Sequence, residues 1–407
     1  MDTYALQTKT RGAAKWPRVT RPRRFFVAHC DRQGRVARRV AFRVCAFDST
    51  SLQNNAMVAV RVPATEKTTY AWREDFHEQY EWKKKLNAGS FGEVWLATDQ
   101  RNDELVAVKE LEKRRGRLTP ERVRQKVEQE LRVMTDVGDC PVVVKLEGGF
   151  KIKGHYEIVM EYCDGEDLKV QLAENGPVSE QLCAAVVHEI LKVIKACHEK
   201  GIVHGDIKTA NFMIKSPKCN PFSDPSTSTL EPGWLKAIDF GCSQYFKGDD
   251  YRIRHRVGTP VYMAPEVFQR NFGFECDMWS LGVVMFQLLA CSFPFWRSAE
   301  DALMCSVREV SHAVQTANVD FASQPVWRSV SPECKDFVMK LLRKDYTRRM
   351  TVEEAQNHPF LKQSIQLDEE GRIMLGTNNI VNYVATKQAS KKTVTKNMKC
   401  AEKNSAC

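Results

Sequence analysis

The spacing of apolar residues changes once along this chain, and that change limits the folds available to it. From Tyr80 to about residue 161, segments such as YEWKKKL, ELVAVKEL and HYEIVMEYC alternate apolar and polar residues, as antiparallel strands do. From Leu168 onward helical spacing dominates, and SEQLCAAVVHEILKVIKACHEKG reads as a long helix that ends at Gly201. The sequence therefore predicts an α+β fold in which a small strand-rich part precedes a larger helical part.

One helix interrupts the strand-rich part. In TPERVRQKVEQELRVMTDV, apolar residues recur at helical spacing from Val123 to Met134, with Thr119 as the expected N-cap and Pro120 in the first turn. The chain has 407 residues, more than one core usually serves, so we expect a two-lobed domain or two domains with extensions. No apolar run is long enough to span a membrane.

The positive charge is concentrated at the N-terminus. Residues 1–47 hold twelve basic and two acidic residues, which account for the whole net charge of +10. The remainder is neutral, which argues against a uniformly basic nucleic-acid-binding surface. An Arg-rich, acid-poor arm of this kind is either a solvated basic segment or an organelle transit peptide. We therefore expect an intracellular protein, cytoplasmic or, with a transit peptide, plastid.

Three further segments lie outside the regular patterns. Residues 48–79 form a lead-in that the sequence does not interpret, and residues 362–407 form a Lys-rich tail predicted to be disordered. Residues 216–234 are rich in Pro, Ser and Thr and are predicted to form an inserted loop. The fourteen cysteines include no CxxC pair, which favours reduced intracellular thiols over a disulfide scaffold or zinc site.

Two motifs in the strand-rich part point to phosphate binding. LNAGSFGEVW, from Leu86 to Trp95, places two glycines after a strand, where backbone N–H groups can approach phosphates without a Cβ in the way. An ordinary hairpin turn is equally compatible with this motif. VAVKEL places Lys109 inside a strand, where its ammonium needs a partner such as Glu130 on the following helix. The alternative is a surface lysine at a strand edge.

The stretch IVHGDIKTAN gathers polar side chains in an apolar setting. In a loop, Asp206 could orient a hydroxyl and accept its proton, Lys208 could neutralise a phosphoryl group, and Asn211 could ligate a metal. Further on, LKAIDFG ends a buried strand at Asp239, a hard oxygen ligand suited to Mg²⁺. Each motif alone has an ordinary structural explanation.

Together and in this order, the motifs resemble those of eukaryotic protein kinases. The set is a Gly-rich loop, a strand lysine, a helix glutamate, H-x-D-x-K-x-x-N, D-F-G and, at Ala264–Glu266, A-P-E. The resemblance covers residues 80–361 and implies a bilobal fold, with an antiparallel-sheet lobe at 80–161 and a mainly helical lobe at 164–361. It also implies ATP and Mg²⁺ as cofactors.

The resemblance implies a role for each matching residue. Asp206 would be the catalytic base, Lys208 would contact the γ-phosphate, and Asn211 and Asp239 would ligate Mg²⁺. The residues implied to bind the nucleotide are Leu86, Asn87, Ala88, Gly89, Ser90, Phe91, Gly92, Glu93, Val94, Ala107, Lys109, Glu130, Met160, Glu161, Cys163 and Asp167. The implied structural residues are His204 and Phe240 in an apolar spine with Met134, the pair Glu266–Arg349, and Asp277 bracing the catalytic loop.

The details favour Ser and Thr as acceptors. Lys208 follows Asp206 by two residues, and Thr259 in GTPVYMAPE would bridge the two, as in Ser/Thr kinases. The segments LKAIDFGCSQYF and GVVMFQLLACSFPFW are similar to those of the calcium/calmodulin-dependent group, especially plant and protist calcium-dependent kinases. No D-x-D-x-D-G motif follows Phe360, so direct control by Ca²⁺ is not expected. We expect a monomer that acts on protein substrates.

Two residues depart from the family pattern. Asn87 stands in place of the first glycine, and Gly205 stands in place of the arginine that docks an activation-loop phosphate. Between Phe246 and Val257 there is also no Ser or Thr. We therefore predict that activity needs no activation-loop phosphorylation. The alternative is a non-enzymatic nucleotide-binding scaffold. The complete set of catalytic residues argues against it.

Overall fold

The computed structural model describes residues 27–30, 36–40, 70–89, 92–113, 118–223, 227–246, 252–296, 298–322 and 324–376. The chain divides into two units, residues 1–61 and 62–407. In the first unit, strand β1 (Val27–Cys30) pairs antiparallel with strand β2 (Val36–Val40). Apart from these two strands, the predicted basic arm or transit peptide (residues 1–47) lies outside the described residues, as does most of the lead-in segment.

The strand-rich part forms one five-stranded antiparallel sheet, in the order β3-β4-β5-β7-β6. Its strands are β3 (Tyr80–Gly89), β4 (Gly92–Asp99), β5 (Glu104–Glu112), β6 (Leu146–Ile152) and β7 (His155–Glu161). Helix α2 (Pro120–Asp136) lies between β5 and β6 in the chain. Thr119 caps it, accepting a hydrogen bond from Arg122 N at 3.3 Å. The predicted sheet, helix and N-cap are confirmed.

Packing against the sheet extends ahead of the predicted domain start at residue 80 and includes Trp72 and Phe76. Helix α1 (Phe76–Gln79) buries Phe76 completely, in a cluster with Val108 and Phe150 on one face of the sheet. Trp72 Nε1 donates to Glu128 Oε1 on α2 at 3.0 Å. The sequence did not predict this packing, because isolated aromatic residues show neither the helical nor the strand periodicity.

The helical part is built around two long helices, α4 (Glu180–Glu199) and α6 (Glu275–Ala290). Ser179 caps α4, and α6 is buried almost all round, as a central helix should be. The other helices are α3 (Leu168–Asn175), α5 (Pro265–Phe268), α7 (Ala299–Met304), α8 (Val307–Thr316), α9 (Pro332–Leu341), α10 (Val352–Gln356) and α11 (Pro359–Ser364). Among the described helices, none combines the length and apolar character needed to cross a membrane.

Short antiparallel strand pairs hold the loops that carry the H-x-D-x-K-x-x-N and D-F-G motifs. Strand β8 (Ile202–Val203) pairs with β12 (Gln244–Tyr245), and β9 (Phe212–Ile214) pairs with β11 (Leu235–Ala237). The residues from His204 to Asn211 therefore run between two anchored strands. The residues of β8 and the buried ends of β9 therefore fix both ends of the loop against the core.

The inserted loop and the beginning of the tail pair with each other. Strand β10 (Thr229–Leu230) is antiparallel to β13 (Ile373–Met374), and Leu230 and Ile373 are buried. Residues 362–364 also end helix α11, so for residues 362–376 the structure differs from the predicted disorder. Ile373 and Leu375, at alternate positions, bury their side chains against the core and make this short segment a strand, although the sequence on either side of it is polar. Residues 377–407 lie outside the described residues.

Candidate active site

Three polar side chains converge in the loop between β8 and β9. Lys208 Nζ lies 2.6 Å from Asp206 Oδ2, and Asn211 Nδ2 donates to the Asp206 carbonyl at 2.9 Å. Asp206 and Asn211 are buried, and Lys208 is half-buried. The loop therefore presents a carboxylate, an ammonium and a carboxamide at one point, held by contacts among themselves.

Thr259, about fifty residues further along the chain, contacts both Asp206 and Lys208. Its backbone N–H donates to Asp206 Oδ1 at 2.9 Å, and its Oγ1 accepts from Lys208 Nζ at 3.0 Å. The predicted bridge between Asp206 and Lys208 is confirmed. Both carboxylate oxygens of Asp206 are thereby fixed in direction, one towards Thr259 and one towards Lys208.

Asp277 braces the loop from the buried helix α6. Its carboxylate accepts the backbone N–H groups of His204 and Gly205, each at 2.8 Å, as predicted. His198 Nε2 lies 3.0 Å from the same carboxylate. Burial alone would raise the pKa of Asp277, but these partners, led by His198, outweigh it and lower the pKa. The sequence does not predict the contribution of His198, because nothing in a helix sequence marks one histidine as the partner of a distant carboxylate.

Lys109 joins two carboxylates at the boundary between the sheet and the helical part. Its Nζ lies 2.6 Å from Glu130 Oε1 on α2 and 2.8 Å from Asp239 Oδ1. Burial would lower the pKa of Lys109, but the two carboxylates outweigh it and raise the pKa. Burial likewise opposes ionisation of Asp239, yet Lys109 leaves that pKa lowered. Both groups are therefore charged at neutral pH, and the predicted pairing of Lys109 with Glu130 is confirmed.

The residues predicted to hold the adenine line the end of β7. Met160 is buried opposite Ala107 of β5, and Cys163 is buried just beyond the strand. The Glu161 carboxylate pairs with Lys236 at 3.0 Å, and its N–H donates to the Lys145 carbonyl at 2.8 Å. Any nucleotide contact through Glu161 would therefore use its carbonyl oxygen.

The Gly-rich motif forms the β3–β4 hairpin. Asn87 pairs with Val94 in register, and Gly89 pairs with Gly92. Gly92 has a φ of +148°, and a Cβ there would lie 2.1 Å from the Glu110 carbonyl oxygen, so only glycine fits. Leu86 is exposed, and Glu93 is ion-paired with Lys85. Of Ala88 only the backbone is described, and Ser90 and Phe91 lie outside the described residues.

Asn87 does not strain this hairpin. It lies in β3 directly after a shift of strand register between Lys85 and Asn87. The non-glycine residues with positive φ in the described part of the chain are Asp103, Arg270 and Cys291. The position in which the family has a glycine therefore needs no left-handed backbone here.

His204 packs rather than reacts. It is fully buried, its ring centroid lies 5.1 Å from that of Phe240, and its Nδ1 accepts a hydrogen bond from Asp206 N at 3.3 Å. Burial lowers the pKa of His204, so the ring is neutral, and it packs at an angle of 48° to the Phe240 ring. Cys242, next to Gly241, is also shielded, and burial raises the pKa of its thiol to about 12.

Gly205 has a steric reason to be glycine. Its φ is +77°, and a Cβ there would lie 3.1 Å from both the Cys242 carbonyl oxygen and Val257 Cγ2. We expect Gly205→Ala to lower the free energy of unfolding by about 2–4 kcal/mol, from backbone strain and crowding together. Urea unfolding measures the change.

Gly154→Ala is the matched control for this substitution. Gly154 also has positive φ, at +95°, but no atom within 4 Å of the added Cβ. It should lose only the strain component, about 1–2 kcal/mol. Equal losses in the two variants would show that contacts around Gly205 contribute nothing.

Comparisons with known proteins agree with this geometry. The family model for the protein kinase domain matches residues 80–361. Calcium-dependent protein kinase 32 of Arabidopsis thaliana is 33% identical over 313 residues, which are 76% of this chain and 54% of that protein. Calcium-dependent protein kinase 24 of the same plant is 34% identical over 307 residues, 75% of this chain and 48% of that protein.

A rice protein, calcium-dependent protein kinase 1 of Oryza sativa subsp. japonica, is 33% identical over 290 residues. That alignment covers 71% of this chain and 52% of the rice protein. The chain thus spans about half the length of the curated relatives it matches. The match over residues 80–361, the bilobal α+β fold and the order of the motifs agree, and the chain belongs to the protein kinase family.

Proposed function

We propose that the chain is a Ser/Thr protein kinase that transfers the γ-phosphoryl group of ATP to protein hydroxyls. The observation that carries the proposal is that Asp206, Lys208 and Asn211 converge with Thr259. These residues match the catalytic motifs of the protein kinase family. Such transfer depends mainly on positioning and charge stabilisation, so cations, hard oxygen ligands and backbone donors are what it requires.

The donor set fits Mg²⁺. Asp239 offers an ionised carboxylate and Asn211 a carboxamide oxygen, the hard ligands that this ion prefers. Bound there, the ion would neutralise negative charge on the nucleotide phosphates. Lys109, held by Glu130 and Asp239, would present its ammonium to the α- and β-phosphates.

Asp206 is proposed as the base for the acceptor hydroxyl. One of its oxygens is held by Thr259 N and the other by Lys208 Nζ, so the carboxylate has a fixed orientation. It would orient the incoming hydroxyl and take its proton. Lys208, bridging Asp206 and Thr259, would move its charge little as the phosphoryl group passes, which is what preorganised stabilisation needs.

The choice of Ser/Thr over Tyr rests on Lys208 and Thr259. Their hydrogen bond at 3.0 Å ties the catalytic loop to the segment that precedes A-P-E. The relatives named above are described as calcium-dependent protein kinases. Phosphoamino-acid analysis of the product tests the choice, and phosphotyrosine as the main product would overturn it.

The adenosine contacts are proposed for the end of β7 and the start of α3. The main chain at Glu161 and Cys163 would meet the adenine edge, with Met160 and Ala107 behind it. Asp167 already caps α3 by accepting from Val170 N at 2.9 Å. A ribose contact would therefore use the oxygen that does not cap the helix.

A non-enzymatic scaffold is less well supported. The two departures from the family pattern that favour a scaffold are Asn87 and Gly205. Each has a local structural explanation that leaves the site intact. The deciding experiment is the transfer of labelled phosphoryl from Mg·ATP to the chain itself or to Ser/Thr peptides. Nucleotide binding without any transfer would favour the scaffold.

We also propose that the activation segment is held without a phosphate. On one side, Tyr245 Oη donates to Asp136 Oδ2 at 2.7 Å. On the other, Arg252 pairs with Glu275, and its guanidinium lies 4.6 Å from the ring centroid of Tyr346. Residues 247–251 between these anchors lie outside the described residues.

Complete dephosphorylation is therefore expected to change the rate of peptide phosphorylation less than about twofold. The reason is that Gly205 offers no cation for a phosphate, whereas ion pairs and hydrogen bonds anchor both flanks of the segment. The measurement compares phosphatase-treated and untreated protein, with mass spectrometry to verify removal. A large loss of activity, traced to a phosphosite within residues 243–262, would contradict the prediction.

A further inference from the structure

Three potential metal ligands meet on the face of the sheet that is turned away from Glu130 and α2. Glu110 of β5 and Glu157 of β7 are directly opposite each other in register, and His155 lies two residues before Glu157 on the same face. One ligand atom from each residue lies within 4.8 Å of the others. The Nδ1 atom of His155 is 4.0 Å from Oε2 of Glu110.

Glu157 is an unusual strand residue because its carboxylate is almost completely buried. Only 1% of its surface is exposed, and its Oε2 has no hydrogen-bond partner among the described residues. Burial and then the neighbouring Glu110 carboxylate raise the pKa of Glu157 to about 8. A buried carboxylate oxygen without a hydrogen-bond partner is disfavoured, so this group requires either a proton or a cation.

Lys113, the lysine that acts on Glu157, does not neutralise it. Its attraction is a smaller effect on the Glu157 pKa than burial or the Glu110 carboxylate. Its ammonium donates instead to the Ile152 carbonyl and lies 5.2 Å from the ring centroid of Tyr156. Tyr156 points to the opposite face of the sheet, because side chains alternate along β7.

We propose that Glu110, His155 and Glu157 form a binding site for a divalent transition-metal ion of the Zn²⁺ class. One imidazole with two carboxylates is a donor set for such ions, whereas Mg²⁺ and Ca²⁺ favour oxygen ligands alone. The three protein ligands leave one position for water. The site is separate from the nucleotide site, since Lys109 projects from the other face of β5.

The three side chains differ in a way that suits metal entry. Glu157 is fixed by burial, whereas the side chains of His155 and Glu110 are 37% and 24% exposed. Two ligands on a tetrahedral ion with bonds of about 2.1 Å lie roughly 3.4 Å apart, so each part-exposed side chain must close by about 1 Å. Rotation of an exposed side chain supplies such a movement.

Metal titration of the full chain tests the site. Protein stripped with EDTA is titrated with Zn²⁺ against a chromophoric chelator, without nucleotide, for wild type, Glu157→Gln and His155→Ala. We expect each variant to bind one equivalent fewer than wild type. Sites formed by cysteines or by the catalytic residues are common to all three proteins and cancel in the difference.

Two matched controls accompany these variants. Glu104→Gln changes an exposed residue on the same face of β5, and His312→Ala changes an exposed histidine on α8. Both should bind as many equivalents as wild type. With Co²⁺ as the probe, the visible absorption of the site should be altered by His155→Ala and unaltered by His312→Ala.

Equal zinc binding by wild type, Glu157→Gln and His155→Ala would overturn the proposal, and Glu157 would then be neutralised by a proton instead. His155 is part-exposed, so its variant is expected to fold even if Glu157→Gln does not. A lost equivalent in His155→Ala alone would still support the site.

Discussion

Asp206→Asn is expected to lower the rate of phosphoryl transfer by about 10²- to 10⁴-fold. The amide keeps the shape of the side chain and an oxygen to accept from Thr259 N. It cannot accept a proton from the substrate hydroxyl, and it removes the charge that Lys208 faces at 2.6 Å. Steady-state phosphorylation of a Ser/Thr peptide gives kcat and KM, and autophosphorylation gives an independent readout.

The effect should fall mainly on kcat, with a much smaller change in nucleotide binding. Lys109 and Asp239, two of the proposed phosphate and metal contacts, pair with each other and not with Asp206, whereas Lys208 and Asn211 both contact Asp206. Asp301→Asn, the same chemical change on the exposed surface of α7, is the control and should be fully active. Equal incorporation by wild type and Asp206→Asn would defeat the enzyme proposal.

The parts of the site that depend on short sequence separation were predictable. Asp206, Lys208 and Asn211 lie within six residues of one another, so a single loop brings them together whatever surrounds it. Lys109 and Glu130 are also a predictable pair, because an ammonium inside an apolar strand has to find a carboxylate. Their resemblance to a known family then placed the distant Thr259, Asp277 and Asp239.

Contacts that depend on strand register were not predictable. HYEIVMEYC was correctly predicted as a strand, but only the register of β5 against β7 shows that Glu157 faces Glu110. In the same way, β10 and β13 pair across more than a hundred residues. Side-chain alternation gives the face of each strand, and tertiary packing alone decides which strand lies next to it.

Arg349→Met is expected to lower the free energy of unfolding by about 3–5 kcal/mol. Arg349 and Glu266 form a bidentate pair in which neither side chain is more than 1% exposed. Without the guanidinium, the Glu266 carboxylate stays buried without its charge partner, and the carbonyls of Glu275 and Arg343 lose donors at 2.8 and 3.0 Å. Thermal unfolding should shift down by roughly 5–15 °C.

A double variant separates the uncompensated charge from the loss of the pair itself. Arg349→Met combined with Glu266→Met removes both charges, so stability should recover in large part, although the two carbonyls remain without their donor. Arg372→Met, which breaks a part-exposed ion pair with Asp368, is the control and should lose far less stability than Arg349→Met.

A loss of stability in Arg349→Met no larger than that in Arg372→Met would contradict the argument.

Glu266 lies in the first turn of α5, directly after the segment that carries Thr259, and Arg349 connects it to the start of α6. Because α6 also carries Asp277, the same helix positions the catalytic loop and the end of the activation segment. Loosening the pair should therefore reduce activity at temperatures where the domain is still folded, which activity measured against temperature would detect.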